Sequence, residues 1–406
     1  MFNLINNLNQ SYHRVINTFI NSIFNGIIIL FFYSFGASAE LLDFALCLFV
    51  YQYFFILVEW GFNLYAIEKV ENIHFLIKRK YFVNIFLISK LYIGFLASVL
   101  FIFFGESQIF SIQDKYYLYS SALLIFVSSF NPFWLYQAIK KIQLFNYSLL
   151  FCKLIQIIFL TYFINGNNFY LFFISQSFVV LVLFVNLIYL LKNEANYFFK
   201  FKFKFFISSY YLIKKLFFYF ASNFYNNINL SIWGFGLMFI NHGMELILFN
   251  IVDLIWRTIN VILQSILEPL FKGFRNSIIP SINFTILFSC FLIIIFFNIE
   301  NATKLLFPKF YDHLFEIFKL LYFVIIFFSF NKIISFLIIG KEKISLMNTF
   351  NSIFLLIQVL FFINWLLHSG NNTYEIIKYL LFFNIFIFFI LIIYLFLRNR
   401  KKKKLN

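Results

Sequence analysis

The chain has 406 residues, of which 63% are hydrophobic and only 12% charged, and its formal net charge is +16. A soluble domain has about 25% charged residues, so this composition excludes a soluble globular protein. It favours a chain embedded in lipid, where helices satisfy their own backbone hydrogen bonds.

About twelve apolar segments of bilayer-spanning length follow one another along the chain. Each lasts roughly twenty residues, the length a helix needs to cross a bilayer, whereas membrane β-strands alternate apolar and polar residues over about ten. The predicted spans are residues 16–35, 41–66, 81–104, 116–137, 142–164, 169–191, 216–240, 244–267, 278–298, 317–339, 344–367 and 374–397. The predicted fold class is therefore an all-α polytopic membrane protein.

A basic stretch, residues 192–215, divides the spans into two groups of six and has six lysines against one glutamate. Basic residues collect in cytoplasmic loops, and most of the 32 Lys and Arg lie in this stretch, in alternate short loops and in the last nine residues. We therefore predict an N-terminal lobe (1–191), a cytoplasmic linker (192–215), a C-terminal lobe (216–397) and a basic tail (398–406). Both termini are predicted to be cytoplasmic, and a central cavity is expected between two six-helix lobes, as in transporters built from repeats.

The sequence has no signature of an enzyme, a metal site or a disulfide framework. Its three cysteines all lie in apolar runs without paired spacing. The basic charge reports membrane orientation and not nucleic-acid binding. We expect no cofactor, no metal, no nucleic-acid partner and a monomer in the bilayer.

Charged side chains inside spans are costly and commonly face a bundle interior or a wet cavity. Asp253 and Arg257 lie four residues apart in one span, so they either line the cavity or form a structural pair. Lys90 and Lys153 also lie within spans, and a cavity lined by cations would suit an anionic, diphosphate-bearing substrate. Glu59 either binds a coupling H⁺ or Na⁺, a role also open to Asp253, or pairs with a nearby lysine.

Two further features concern substrate and motion. Asn223 and Asn227 offer amides to sugar hydroxyls, or form the interhelical bonds usual for such residues. Pro132 lies inside a predicted span, where it removes a backbone hydrogen bond and kinks the helix. It is the candidate hinge.

Three segments resemble those of a known family. Residues 59–66 read E-W-G-F-N-L-Y-A, similar to the D-F-G-F-N-L-Y-A-T-R signature of polysaccharide flippases. Residues 132–138 read P-F-W-L-Y-Q-A, similar to that family's P-x-W-L-F-Q-G, and residues 250–257 resemble its A-E-K-I-V-R segment. The chain thus resembles Wzx-type O-antigen flippases of the multidrug/oligosaccharidyl-lipid/polysaccharide (MOP) superfamily.

The resemblance implies translocation of an undecaprenyl-diphosphate-linked oligosaccharide across the bacterial cytoplasmic (inner) membrane by alternating access. It implies a role in lipopolysaccharide, capsule or exopolysaccharide synthesis, with the polymerase and chain-length proteins of that pathway as partners. The alternatives are a multidrug or small-solute cation antiporter of the same superfamily, and a polysaccharide polymerase, which would need a large external loop that the sequence lacks.

Overall fold

All regular secondary structure in the described part of the chain is α-helical. The computed structural model describes residues 12–13, 16–17, 20–21, 24–29, 31–32, 39–59, 62, 76–106, 112, 114–164, 168–195, 207–214, 216, 301, 304, 311–339, 353–354, 357–358, 360 and 373–403.

Eight helices have defined bounds within these residues. They are α1 (Ala39–Glu59), α2 (Leu76–Glu106), α3 (Lys115–Ser128), α4 (Phe133–Ala138), α5 (Ile142–Phe163), α6 (Leu171–Ala195), α7 (Tyr311–Ile339) and α8 (Thr373–Lys403).

Six stretches in the described residues are long and apolar enough to cross a membrane, and they match predicted spans. They are Glu40–Glu59, Tyr81–Glu106, Lys115–Ala138, Ile142–Phe163, Leu171–Lys192 and Ile377–Tyr394. The predicted all-α polytopic membrane fold class is confirmed.

Helices α2, α7 and α8 extend further than the apolar runs that predicted them. Helix α2 begins at Leu76, before the predicted start of its span at residue 81, and α7 begins at Tyr311, inside a stretch predicted as a loop. Helix α8 continues through the basic residues after 397 to Lys403. Hydropathy marks only the lipid-embedded middle of a helix, whereas Lys, Arg and Glu continue a helix readily outside the bilayer.

The predicted span 116–137 is two helices with a break between them. Helix α3 starts after Asp114, whose side chain accepts a hydrogen bond from the backbone N–H of Tyr116 at 2.8 Å. It ends at Ser128, and α4 starts at Phe133, directly after Pro132. The Asn131 side chain accepts from the N–H of Phe133 at 3.2 Å and so caps the restart. The predicted kink at Pro132 is present.

The chain divides into two compact units, Phe19–Ile228 and a second made of Met1–Thr18 with Asn229–Asn406. In the first, here called the N-terminal unit, α1 packs against α2 and α3, while α6 packs against α3 and α5. In the second, the C-terminal unit, α7 packs against α8.

The end of the predicted linker is helical and packs on the N-terminal unit. Within residues 207–214, Leu212 packs against Ile85 and Ile88 of α2. The Ser209 hydroxyl donates to the carbonyl oxygen of Ile85 at 3.3 Å. This part of the linker is therefore attached to α2.

Four phenylalanines pack against one another in the core of the N-terminal unit. The ring of Phe32 lies 5.0 Å from that of Phe44 and 4.9 Å from that of Phe169, centroid to centroid. The ring of Phe172 lies 5.5 Å from Phe44 in an edge-to-face arrangement. These are the separations of ordinary aromatic packing, so this part of the Phe-rich composition serves the core.

Candidate functional site

Four of the predicted site residues, Glu59, Lys90, Pro132 and Lys153, lie in the described part of the N-terminal unit. The remaining candidates, Asp253, Arg257, Asn223 and Asn227, lie outside the described residues. The candidate site is therefore built from the buried ionisable groups of the N-terminal unit.

Glu59 and Lys90 form a buried ion pair between two neighbouring helices. Glu59 is the last residue of α1, Lys90 lies in the middle of α2, and Lys90 Nζ donates to Glu59 Oε1 at 3.2 Å. The Lys90 side chain is fully buried and that of Glu59 is 6% exposed. Pairing offsets part of the cost of burying each charge, and the structure thus shows the lysine pairing that the sequence left open for Glu59.

The second carboxylate oxygen of Glu59 differs from the first. Glu59 Oε2 is buried and has no hydrogen-bond partner among the described residues. A carboxylate accepts hydrogen bonds at both oxygens. Oε2 therefore has acceptor capacity that no described residue uses.

Lys153 is also fully buried, yet its partners are neutral. Its Nζ donates to Asn25 Oδ1 at 2.9 Å, to Gln156 Oε1 at 3.0 Å and to Gln176 Oε1 at 2.6 Å. An ammonium has three N–H donors, so all three are used. Three charge-assisted hydrogen bonds replace the water that the ammonium lost on burial.

A second layer of hydrogen bonds orients the Lys153 cluster, defined as Lys153, Asn25, Gln156 and Gln176. Gln156 Nε2 donates to Ser175 Oγ at 3.0 Å, and that hydroxyl donates to the carbonyl oxygen of Phe172 at 2.9 Å. Since the Ser175 proton is used on a carbonyl, its oxygen accepts from the Gln156 amide nitrogen. The amide oxygen of Gln156 is thereby directed at the ammonium.

Sequence reasoning found Lys153 but missed its three partners. Gln156 lies three residues further along the same helix, a spacing that places two side chains on one face, so that contact was detectable. Asn25 and Gln176 come from other helices, and nothing in an Asn-rich chain distinguishes them beforehand.

The helix break at Pro132 lies next to a close helix contact. A Cβ added to Gly94 of α2 would lie 2.7 Å from the Cβ of Ser129, the first residue after α3. The absence of a side chain at residue 94 therefore lets α2 approach the break closely. Whether the break also bends during a working cycle remains a prediction.

Metal and thiol chemistry have no visible support in the residues that the structure describes. Those residues contain no group of three or more His, Cys, Asp or Glu side chains able to hold a metal ion. Cys47 and Cys152 are free thiols and both are buried.

The fold and its buried charges define a polytopic α-helical membrane protein, and comparison with known proteins identifies its architecture. No protein-family model and no curated protein matches the sequence. Among solved structures, an outward-facing multidrug-resistance MATE family transporter of the MOP superfamily is 11% identical, with a TM-score of 0.59 and coverage of 98% of this chain and 97% of that one.

Two further structures extend the comparison. A eukaryotic MATE transporter is 11% identical with a TM-score of 0.60, covering 97% of this chain and 96% of that chain. A MOP superfamily transporter from Pyrococcus furiosus is 10% identical with a TM-score of 0.53, covering 95% of each chain. The chain has the fold of MATE transporters of the MOP superfamily.

Proposed function

We propose that the chain is a flippase that moves an undecaprenyl-diphosphate-linked oligosaccharide across a bacterial cytoplasmic membrane. Its fold is that of membrane transporters. Within that fold, the motifs at residues 59–66 and 132–138 resemble those of polysaccharide flippases. Both motifs border structural features described above, the Glu59–Lys90 pair and the break at Pro132.

The observation that carries the proposal is the sign of the buried charge. The charged residues buried in the described structure are Lys90, Lys153 and Glu59, two cations against one anion. Electrostatic interactions reach further at low dielectric than in water. The surplus of basic over acidic side chains among the described buried residues supports a negatively charged substrate group, such as a diphosphate, over a cationic solute.

Charge sign matters within this fold. The Pyrococcus furiosus transporter has a binding pocket of reverse polarity, which suggests a different function for that protein. In the present chain, Asp253 and Arg257 are the proposed cavity charges of the other unit, and Asn223 and Asn227 the proposed sugar contacts.

A second candidate function is export of a drug or small solute. It is favoured by the solved structures with this fold, one of which is a multidrug-resistance transporter. The positive balance of the buried charges weighs against a cationic drug, so under this alternative we expect an anionic or neutral solute.

Reconstitution into lipid vesicles tests the proposal directly. The purified chain is incorporated together with a fluorescently labelled undecaprenyl-diphosphate glycan, and a membrane-impermeant reductant quenches the label in the outer leaflet. We expect quenching to rise from about half of the label in protein-free vesicles towards all of it, because translocation exposes the inner-leaflet lipid.

The matched control is the same labelled glycan on a neutral lipid, for which we expect no gain over protein-free vesicles. Equal movement of both lipids would contradict recognition of the diphosphate. Uptake of a soluble dye without any lipid translocation would instead establish the small-solute alternative.

Coupling to H⁺ or Na⁺ is proposed through Glu59 or Asp253. Glu59 supports such a role because Oε2 has no partner in the described structure while Oε1 is held by Lys90. Imposing a proton or sodium gradient on the same vesicles should accelerate translocation in wild type, and Glu59→Gln should abolish the acceleration if Glu59 carries the ion.

A further inference from the structure

The Lys153 cluster has the composition of a cation-binding site. Three neutral amide oxygens, from three separate helical segments, converge on one nitrogen at 2.6–3.0 Å. No described carboxylate pairs with Lys153, whereas Lys90 pairs with Glu59.

The three acceptor oxygens suit the charged form of Lys153. A neutral amine has two N–H donors and one lone pair, so one of the three amide oxygens would face that lone pair. An ammonium satisfies all three oxygens. The orientation of Gln156, set by its bond to Ser175, shows that one of these oxygens cannot be exchanged for an amide N–H without breaking a second hydrogen bond.

We propose that Asn25, Gln156 and Gln176 form a monovalent-cation site that the chain fills with its own Lys153 ammonium. The lysine acts as a tethered cation that joins three helical segments. Two consequences follow: its N–H groups are unavailable to a substrate diphosphate, and removing the side chain leaves a site for a free cation of similar chemistry.

The residues of the Lys153 cluster differ in exposure. Gln156 is 2% exposed, whereas the contacts to Asn25 and Gln176 are only part-buried. We therefore expect a small cation to enter past these two residues once the lysine side chain no longer fills the space.

Chemical rescue of Lys153→Ala tests the proposal in detergent-purified protein by thermal unfolding. The substitution removes three methylenes and the ammonium, which n-propylammonium replaces atom for atom. At a concentration about ten times its dissociation constant, n-propylammonium should raise the Tm of Lys153→Ala by roughly 1–2 °C.

Three controls make the result specific. Tetramethylammonium has the same charge but no N–H donor, and it should leave the Tm unchanged. Wild type should not respond to n-propylammonium because its site is filled. The double variant Lys153→Ala/Gln176→Leu should lose the response because one oxygen is missing. Equal shifts in all of these, or no shift in Lys153→Ala, would overturn the proposal.

If Lys153→Ala does not fold, two variants of Gln176 test instead whether an ammonium is held at the site. Gln176→Glu places a carboxylate on the ammonium and should keep or raise the wild-type Tm, since a charged partner strengthens the hydrogen bond. Gln176→Leu should lower it. A fall in the Tm of Gln176→Glu as large as that of Gln176→Leu would show that no ammonium is held there. A result showing that Lys153 holds no ammonium would remove one of the two buried cations from the argument for an anionic substrate. Lipid translocation itself is measured separately in vesicles, so the two failures can be told apart.

Discussion

The two buried lysines of the N-terminal unit are accommodated in opposite ways. Lys90 is matched by one carboxylate from the neighbouring helix, at 3.2 Å. Lys153 is matched by three neutral oxygens and no described acid. The first arrangement cancels charge, whereas the second only solvates it. The net positive charge of the described buried groups therefore resides at Lys153, and loss of each lysine should have different consequences.

The largest effect is expected when the ion pair is broken from one side. Lys90→Met leaves the Glu59 carboxylate buried without its counter-ion, which costs about 3–5 kcal/mol of stability. The double variant Glu59→Leu/Lys90→Met removes both charges and should recover most of that loss, because apolar replacements of a buried pair are commonly tolerated. Thermal or denaturant unfolding in detergent measures both.

Lys192 supplies a control for loss of a lysine as such. It is exposed in the last turn of α6, so Lys192→Met should change stability by less than about 0.5 kcal/mol. If the Lys90 single variant and the double variant were equally unstable, the pair would not carry the interaction described here.

A smaller loss is expected when the solvating cluster is broken. Lys153→Met leaves three amide oxygens without a donor, but no stranded charge. Asn25 and Gln176 are half-buried and can turn to other partners, so the main penalty falls on Gln156. One unsatisfied buried acceptor costs about 1–3 kcal/mol. A loss larger than that of Lys90→Met, measured by the same unfolding experiment, would reverse the comparison.

The two sites also differ in how far the sequence could predict them. Glu59 and Lys90 are 31 residues apart, in consecutive apolar runs joined by a short turn, so opposite charges in adjacent antiparallel spans made pairing a reasonable hypothesis. The partners of Lys153 lie 128 and 23 residues away and are neutral. Neutral amides give no charge signal, and their convergence depends on helix packing that hydropathy does not encode.

The fold likewise has features that the sequence predicted and features that it did not. Length and hydropathy correctly predicted the class and the approximate positions of the six spans found in the described residues, because both follow from lipid thickness. They did not predict that α7 begins at Tyr311, because helical structure outside the bilayer depends on propensity and capping. A kink at Pro132 was predicted, since proline acts through its own missing N–H, but the full break between α3 and α4 was not.

Gly94 lies one turn from Lys90 on α2. Replacing it tests the helix packing next to the ion pair. Gly94→Ala places a Cβ 2.7 Å from the Cβ of Ser129, an atom close to the backbone that moves little. Overpacking costs about 1–3 kcal/mol, and the better helix propensity of alanine returns up to about 1 kcal/mol. We expect a net loss of about 1–2 kcal/mol in unfolding experiments.

Gly105→Ala is the matched control, near the end of the same helix. There the added Cβ meets the Cδ1 methyl at the tip of the Leu118 side chain, which can rotate away. Since both residues are buried, the Leu118 side chain must shift, and we expect a loss smaller than at residue 94, under about 1 kcal/mol. A loss at residue 105 as large as that at residue 94 would show that α2 is sensitive to any glycine replacement and not to contact with the helix break.

The smallest effect is expected for an uncharged interhelical bond in the C-terminal unit, which sets the lower end of the comparison. Asn331 Nδ2 of α7 donates to the backbone carbonyl oxygen of Asn384 in α8 at 3.0 Å. Interhelical hydrogen bonds of this kind average about 0.6 kcal/mol in membrane proteins, which is the loss expected for Asn331→Leu.

Asn384→Leu is the control and should retain the bond, because the acceptor is a backbone carbonyl oxygen. The Asn384 side chain donates within its own helix, to the Leu380 carbonyl oxygen. If Asn384→Leu were the more damaging of the two in unfolding experiments, the contact between α7 and α8 would depend on the packing of that side chain and not on the hydrogen bond.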